Sequence, residues 1–104
     1  MHVILHPLAK REMREAAAYY QRQQPGLGGE FAEEVQAGVE NLRDNPKLYP
    51  EFLQGARRKL LSRFPYGLVY VLQDKVIIIV AVAHTSRRPG YWVNRIGSVP
   101  LDEP

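Results

Sequence analysis

The chain has 104 residues, 45% hydrophobic and 24% charged, the composition of one globular domain rather than of a disordered or fibrous protein. It has no cysteine, which excludes disulfides and thiolate metal sites. The net charge of +3 is unevenly spread: residues 1–54 carry six Lys/Arg against eight Asp/Glu, and residues 55–104 carry eight against three, so an anionic partner is expected on the second half.

Residues 2–6 predict a short strand with Val3 and Leu5 on one face. This apolar run is too short for a signal peptide and stops at Pro7, and no run reaches the ~18 apolar residues of a membrane span, so a cytoplasmic location is expected. Pro7 suits a first helical turn, where its missing N–H costs nothing. Ala9, Met13, Ala16, Ala17 and Tyr20 then mark one helix face, with Lys10, Arg11, Arg14, Glu15 and Arg22 on the other. Gln24-Pro25-Gly26 breaks this helix, and Leu27, Phe31, Val35, Val39 and Leu42 mark a second one that Asn45-Pro46 ends. The short break implies an antiparallel helical hairpin whose apolar stripes need a further surface to cover them.

Tyr49 to Gly55 predicts a loop with aromatic anchors, and residues 56–62, 67–73 and 76–83 predict three strands joined by short turns as an antiparallel meander. Val76 to Val80 is too continuously apolar for a strand with one wet face. The helices can cover one face, and the C-terminal segment or a partner the other. The predicted fold is α+β, in the order β-α-α-β-β-β, with one domain over residues 1–97 and a fraying tail over residues 98–104.

The apolar strand ends at a cluster of His84, Arg87, Arg88, Tyr91 and Trp92, and no catalytic motif in the sequence decides how it is used. Guanidiniums and aromatics bind phosphates, stack on bases or grip acidic proteins. Trp92 also suits a cap on the core. His2, His6 and His84 lack the carboxylate that would order a three-histidine metal site, so no metal or cofactor is expected, and His6 reads as a surface residue. The serines have no nucleophile-elbow setting, Gly26-Leu27-Gly28-Gly29 is a turn between helices, and Glu30, Glu33, Glu34 and Glu40 read as a solvated helix face. RNA cleavage remains possible, with His84 or Tyr91 moving protons and Arg58, Arg63, Arg87 or Arg88 holding phosphate. The same residues also suit a protein-binding surface.

The order and spacing of several short pieces carry a resemblance: Glu15 to Tyr20, Pro25-Gly26-Leu27-Gly28, Phe31 with Val35, Asn45-Pro46, Tyr49-Pro50, Arg57-Arg58, Leu60-Leu61, Arg63-Phe64-Pro65-Tyr66, Val69-Tyr70, Ala81-Val82 with His84, Arg88-Pro89 and Tyr91-Trp92. Together they resemble the RelE/ParE superfamily of bacterial type II toxins, from about Val3 to Arg95. The resemblance implies a helical hairpin on an antiparallel sheet and a small acidic antitoxin that binds the toxin, so a toxin–antitoxin hetero-oligomer is the expected stable unit. It implies antitoxin contacts at Phe31, Val35, Leu60 and Trp92. It also implies target or phosphate contacts at Arg57, Arg58, Arg63, Arg87 and Arg88. Two activities divide the superfamily. RelE-like members cleave mRNA on the ribosome, which would make His84, Arg88 and Tyr91 catalytic here. ParE-like members poison DNA gyrase and are not nucleases. RelE-like nucleases usually carry an arginine where this chain has Gly67, and that favours the ParE-like reading. A degenerate member acting only as a binding module is the remaining alternative.

Overall fold

A computed structural model describes residues 1–98, and the expectation of a fraying tail beyond Ser98 lies outside the described residues. Strand β1 (His2–Leu5) runs directly into helix α1 (Pro7–Gln23). His6 caps that helix, its Nδ1 accepting a hydrogen bond from the Leu8 N–H at 3.0 Å. His6 is buried at 7% exposure rather than lying on the surface, because its Nε2 turns inward to the Ser98 hydroxyl at 2.9 Å.

Helix α2 (Leu27–Asp44) begins after Gly26, which takes a left-handed conformation and has no side chain to cap the helix. Gln21 of α1 does so instead: its Oε1 accepts from the Gly26 and Gly28 N–H groups at 3.0 and 3.2 Å. The two helices touch at Gly28, where an added Cβ would sit 2.5 Å from the Ala17 carbonyl oxygen.

Strands β2 (Glu51–Leu53), β3 (Ala56–Leu60), β4 (Tyr66–Gln73) and β5 (Val76–His84) complete a five-stranded sheet in the order β1-β5-β4-β3-β2. Only the β1–β5 pair is parallel. The meander over β3, β4 and β5 is as expected, but β2 falls in the segment expected to be a loop. It is three residues long and follows Pro50. Gln54 and Gly55 both take positive φ, which closes a two-residue hairpin without the usual Asn-Gly or Asp-Gly signature. The glutamates of α2 are not all solvated. Glu34 accepts hydrogen bonds from the Ser62 and Arg63 N–H groups, and Glu30 pairs with Arg63 at 2.6 Å, so α2 grips the turn between β3 and β4.

The apolar run of β5 faces two cores. Ile77, Ile79 and Val82 join Phe31, Val35, Leu42, Leu68 and Tyr70 beneath the helices. Ile78, Val80 and Ala81 join Ala56, Val69, Val71 and Trp92 on the other face. That second face is covered by the chain's own C-terminal segment, through Trp92 with Tyr91, Val93 and Ile96.

Gly28→Ala tests the helix contact. Alanine should gain up to ~1 kcal/mol of helix propensity. The Ala17 carbonyl is backbone and cannot yield as a flexible side chain can, so overpacking of about 1–3 kcal/mol should win. Net destabilisation in urea unfolding is expected, and a stabilised variant would contradict the contact.

Candidate functional site

Strand β1 covers β5 only from Val76 to Ile79 before the chain turns into α1. The β4–β5 register then slips: Tyr70 faces Ile79 and Val69 faces Ala81, which leaves Val80 as the extra residue of a bulge. The Val80 carbonyl and the Val82 N–H therefore point to an edge without a strand. Two side chains take the strand's place. The Arg95 Nη1 donates to the Val80 carbonyl at 2.9 Å, and the Val82 N–H donates to the Glu12 Oε1 at 3.0 Å. Glu12 and Arg95 also pair with each other at 2.9 and 3.0 Å, with only 15% and 12% of their side chains exposed. The Tyr91 hydroxyl donates to the Glu12 Oε2 at 2.8 Å.

Neither Glu12 nor Arg95 is singled out by the sequence reading. The available signal is that Glu12 falls on the apolar stripe of α1, three residues after Ala9 and four before Ala16. A carboxylate there needs a buried partner.

Beside this network, on the sheet face away from the helices, Gly67 and Ala83 pair across β4 and β5 and floor a cavity of about 50 Å³. Arg58, His84, Arg87, Arg88 and Tyr91 line it, with Phe52, Leu60 and Trp92 at its side. The Arg58 guanidinium lies 4.8 Å from the Phe52 ring centre, and the Phe52 ring is 5.7 Å from that of Trp92. Arg87 and Arg95 both lie over the Tyr91 ring, at 3.7 and 5.1 Å. An added Cβ at Gly67 would come within 3.1 Å of the Arg58 side chain, so the Arg58 stem occupies the space that a longer residue at 67 would need.

Tyr91 is engaged at its hydroxyl, and His84 at one of its two ring nitrogens. The His84 Nδ1 accepts the Ser86 N–H at 3.0 Å, which puts the proton of neutral His84 on Nε2 and leaves that nitrogen a donor. Burial, with the Glu12 carboxylate at its hydroxyl, holds the Tyr91 phenol well above its ordinary range, so it stays protonated at neutral pH.

Two of the other expected site residues, Arg57 and Arg63, lie elsewhere. Arg57 is on the helix side of the sheet, donating to the Tyr49 carbonyl at 2.6 Å and pairing with Glu51 at 3.4 Å, where it holds the loop before β2. Arg63 is in the β3–β4 turn with Glu30. Phe31, Val35 and Trp92 are core residues with 0, 3 and 2% exposure and present almost no surface to a partner, whereas Leu60 is 51% exposed beside the cavity. Among the described residues, no group of three or more His, Cys, Asp or Glu side chains is placed to hold a metal.

The family profile described as "ParE toxin of type II toxin-antitoxin system, parDE" matches residues 3–89. No curated protein matches the chain in sequence. Among solved structures, the fold is similar to one described as the chromosomal ParDE TA system from P. aeruginosa, with a TM-score of 0.62 and 18% identity over 81% of this chain and 95% of that one.

The network makes two predictions. Glu12→Ala leaves the largely covered Arg95 without its partner and the Val82 N–H unsatisfied, so a loss of up to about 3–5 kcal/mol is expected in chemical denaturation. A loss below about 1 kcal/mol, the scale of an exposed pair, would show the network to be solvated. The second concerns pH. Burial, then the nearby Arg95, lowers the pKa of His6 below its ordinary 6.5, against an opposing pull from Glu12. The unfolded chain thus takes up this proton first as pH falls, and stability should decline as pH drops through and below 6.5. His6→Asn keeps a capping side chain and should flatten that slope, whereas an unchanged slope would assign it to other groups.

Proposed function

Because the chain belongs to the ParE toxin family of type II toxin–antitoxin systems, we propose that it arrests growth by acting on DNA gyrase through the Arg58, Arg87 and Arg88 surface, and that a cognate antitoxin neutralises it. The observation that carries this reading over mRNA cleavage is the state of the proton-transfer candidates. Cleavage at a 2′-hydroxyl needs a base with a free lone pair and an acid for the leaving oxygen. The lone pair of neutral His84, on Nδ1, is occupied by Ser86, so the ring offers an Nε2–H but no free base, and the Tyr91 proton is committed to Glu12. Gly67 supplies no cation of its own, and the arginine that lies over it, Arg58, is packed on Phe52. What is left is a positively charged, partly apolar surface suited to holding a macromolecule.

The purified chain should inhibit gyrase supercoiling or trap its cleavage complex and leave ribosome-bound mRNA intact. Arg87→Ala and Arg88→Ala should each weaken gyrase inhibition by about 2 kcal/mol, the scale of an interface hot spot. His84→Ala should cost about 0.5 kcal/mol or less. Ribosome-dependent mRNA cleavage by the wild-type chain, lost in His84→Ala, would overturn the proposal in favour of a nuclease. Antitoxin binding with neither effect would identify a pure binding module.

A further inference from the structure

We propose that the cavity over Gly67 and Ala83 and the larger groove beside it form one site for a nucleoside monophosphate unit, its phosphate among the arginines and its base in the groove. The unit is either a free nucleotide or the phosphorylated end of a single strand. Such a site goes beyond gyrase binding and stands or falls without it, because ligand binding is measured on the chain alone.

Two cavities share a wall. The smaller, about 50 Å³, is lined by Arg58, Arg87 and Arg88. The second, about 280 Å³ and more open, lies between α1 and the paired ends of β4 and β5, with Glu15, Tyr19, Tyr66 and Val82 around it. His84 and Arg87 line both. Charge sets which part of a ligand goes where. Among the described residues Arg58, Arg87 and Arg88 have no carboxylate within 4.0 Å, whereas Arg11, Arg43, Arg57, Arg63 and Arg95 each have a glutamate. The forked donors of the first three match a phosphate, and a phosphate monoester brings about two negative charges to meet them. Glu12 and Glu15 line the groove and repel an anion there. With Nδ1 taken by Ser86, the His84 Nε2–H is left to donate at the boundary, where an ester oxygen would pass.

The groove suits a base. Tyr19 is 48% exposed, meets Tyr20 edge-on at 5.2 Å between ring centres, and carries no cation among the described residues. Phe52 and Tyr91, in the smaller cavity, already carry Arg58 and Arg87. The ring open to stacking is therefore in the groove and not beside the phosphate. At about 280 Å³ the groove is just below the usual size of a small-molecule site, which is room for one ring system. Tyr66 and Val82 add apolar surface, and Glu15, whose Oε2 accepts from Arg11, keeps Oε1 to accept from a base N–H. Away from the groove the smaller cavity is bordered by Phe52, Leu60, Pro89 and Trp92. These apolar groups give a continuing sugar–phosphate chain no partner, so the phosphate is a terminal one. A phosphate alone would use the smaller cavity and leave Tyr19 uncovered; a nucleotide uses both.

The test is calorimetric titration of the full chain with AMP, adenosine, inorganic phosphate, and deoxyadenosine strands of about ten nucleotides with and without a 5′-phosphate. AMP should bind, with adenosine and inorganic phosphate each about tenfold weaker or more, and the phosphorylated strand should bind in competition with AMP. A strand end that binds tighter than AMP identifies the strand as the source of the unit, and the reverse order identifies the free nucleotide; both support the site. Arg88→Gln and Tyr19→Ala should each weaken AMP about tenfold. Tyr19→Phe, which keeps the ring, should bind as wild type does, and so should Lys75→Gln, at the opposite end of the β4–β5 hairpin. Thermal melts establish that each variant folds. Inorganic phosphate binding as tightly as AMP would reduce the site to an anion hole and overturn the proposal. Equal binding of the two strands, or of AMP to wild type and Tyr19→Ala, would overturn it too. So would the absence of binding by both AMP and the phosphorylated strand at millimolar concentration.

Discussion

The carboxylate of Glu12 is the point on which both faces of the molecule depend. A nine-residue strand, β5, has only a four-residue neighbour on one side, and a bulge at Val80 turns two adjacent side chains to the same face. Burying such an edge without partners would cost on the order of 1–3 kcal/mol for each orphaned backbone group. Glu12 and Arg95 absorb those groups as a pair. A buried ion pair alone is weak support for stability, since its desolvation offsets its attraction. This one differs in that its spare lone pairs and protons are spent on backbone and on Tyr91, which leaves little unsatisfied.

The same pair ties sequence ends together. Glu12 sits in the first helix and Arg95 in the last turn, so the pair straps the C-terminal segment to the sheet and keeps Trp92 and Ile96 over the second core. It also reaches the arginine surface. The Tyr91 hydroxyl is fixed by Glu12 while its ring carries Arg87, so a buried contact under α1 sets where an exposed guanidinium stands. Stability and site geometry are in this respect one problem.

Helices and the long strands were legible in the chain because their apolar spacing is strong and their breaks are Pro and Gly. The continuous run in β5 correctly predicted two covered faces, and the structure assigns the second cover to the C-terminal segment. The short β2 was not legible: three residues carry too little pattern, and Gln54-Gly55 is an unusual turn pair. The site was half legible. His84, Arg87, Arg88 and Tyr91 are adjacent in sequence and meet in space. Arg57 and Arg58 are adjacent too, yet strand alternation sends Arg57 to the helix side and Arg58 to the cavity, and only the register with Tyr70 and Val69 decides which goes where. Glu12 and Arg95, 83 residues apart, are joined by tertiary structure alone.

Gly67 and Arg58 show why a missing residue is not a missing charge. Across the β3–β4 pair Gly67 faces Leu60, and Arg58 is two residues earlier in β3 on the same face. With no Cβ at 67, the Arg58 stem lies across the glycine and its guanidinium sits on Phe52 at the margin of the cavity. An arginine at 67 would push that stem aside, so the two positions compete for one space. Supplying the cation from β3 preserves the positive potential over the cavity. It also leaves the charge packed against a ring at the cavity wall, where a flat, partly apolar partner can meet it. Transition-state stabilisation needs donors preorganised around one reacting oxygen beside a free base and acid. Binding needs only complementary charge and an apolar border. The arrangement over Gly67 meets the second requirement with the groups at hand.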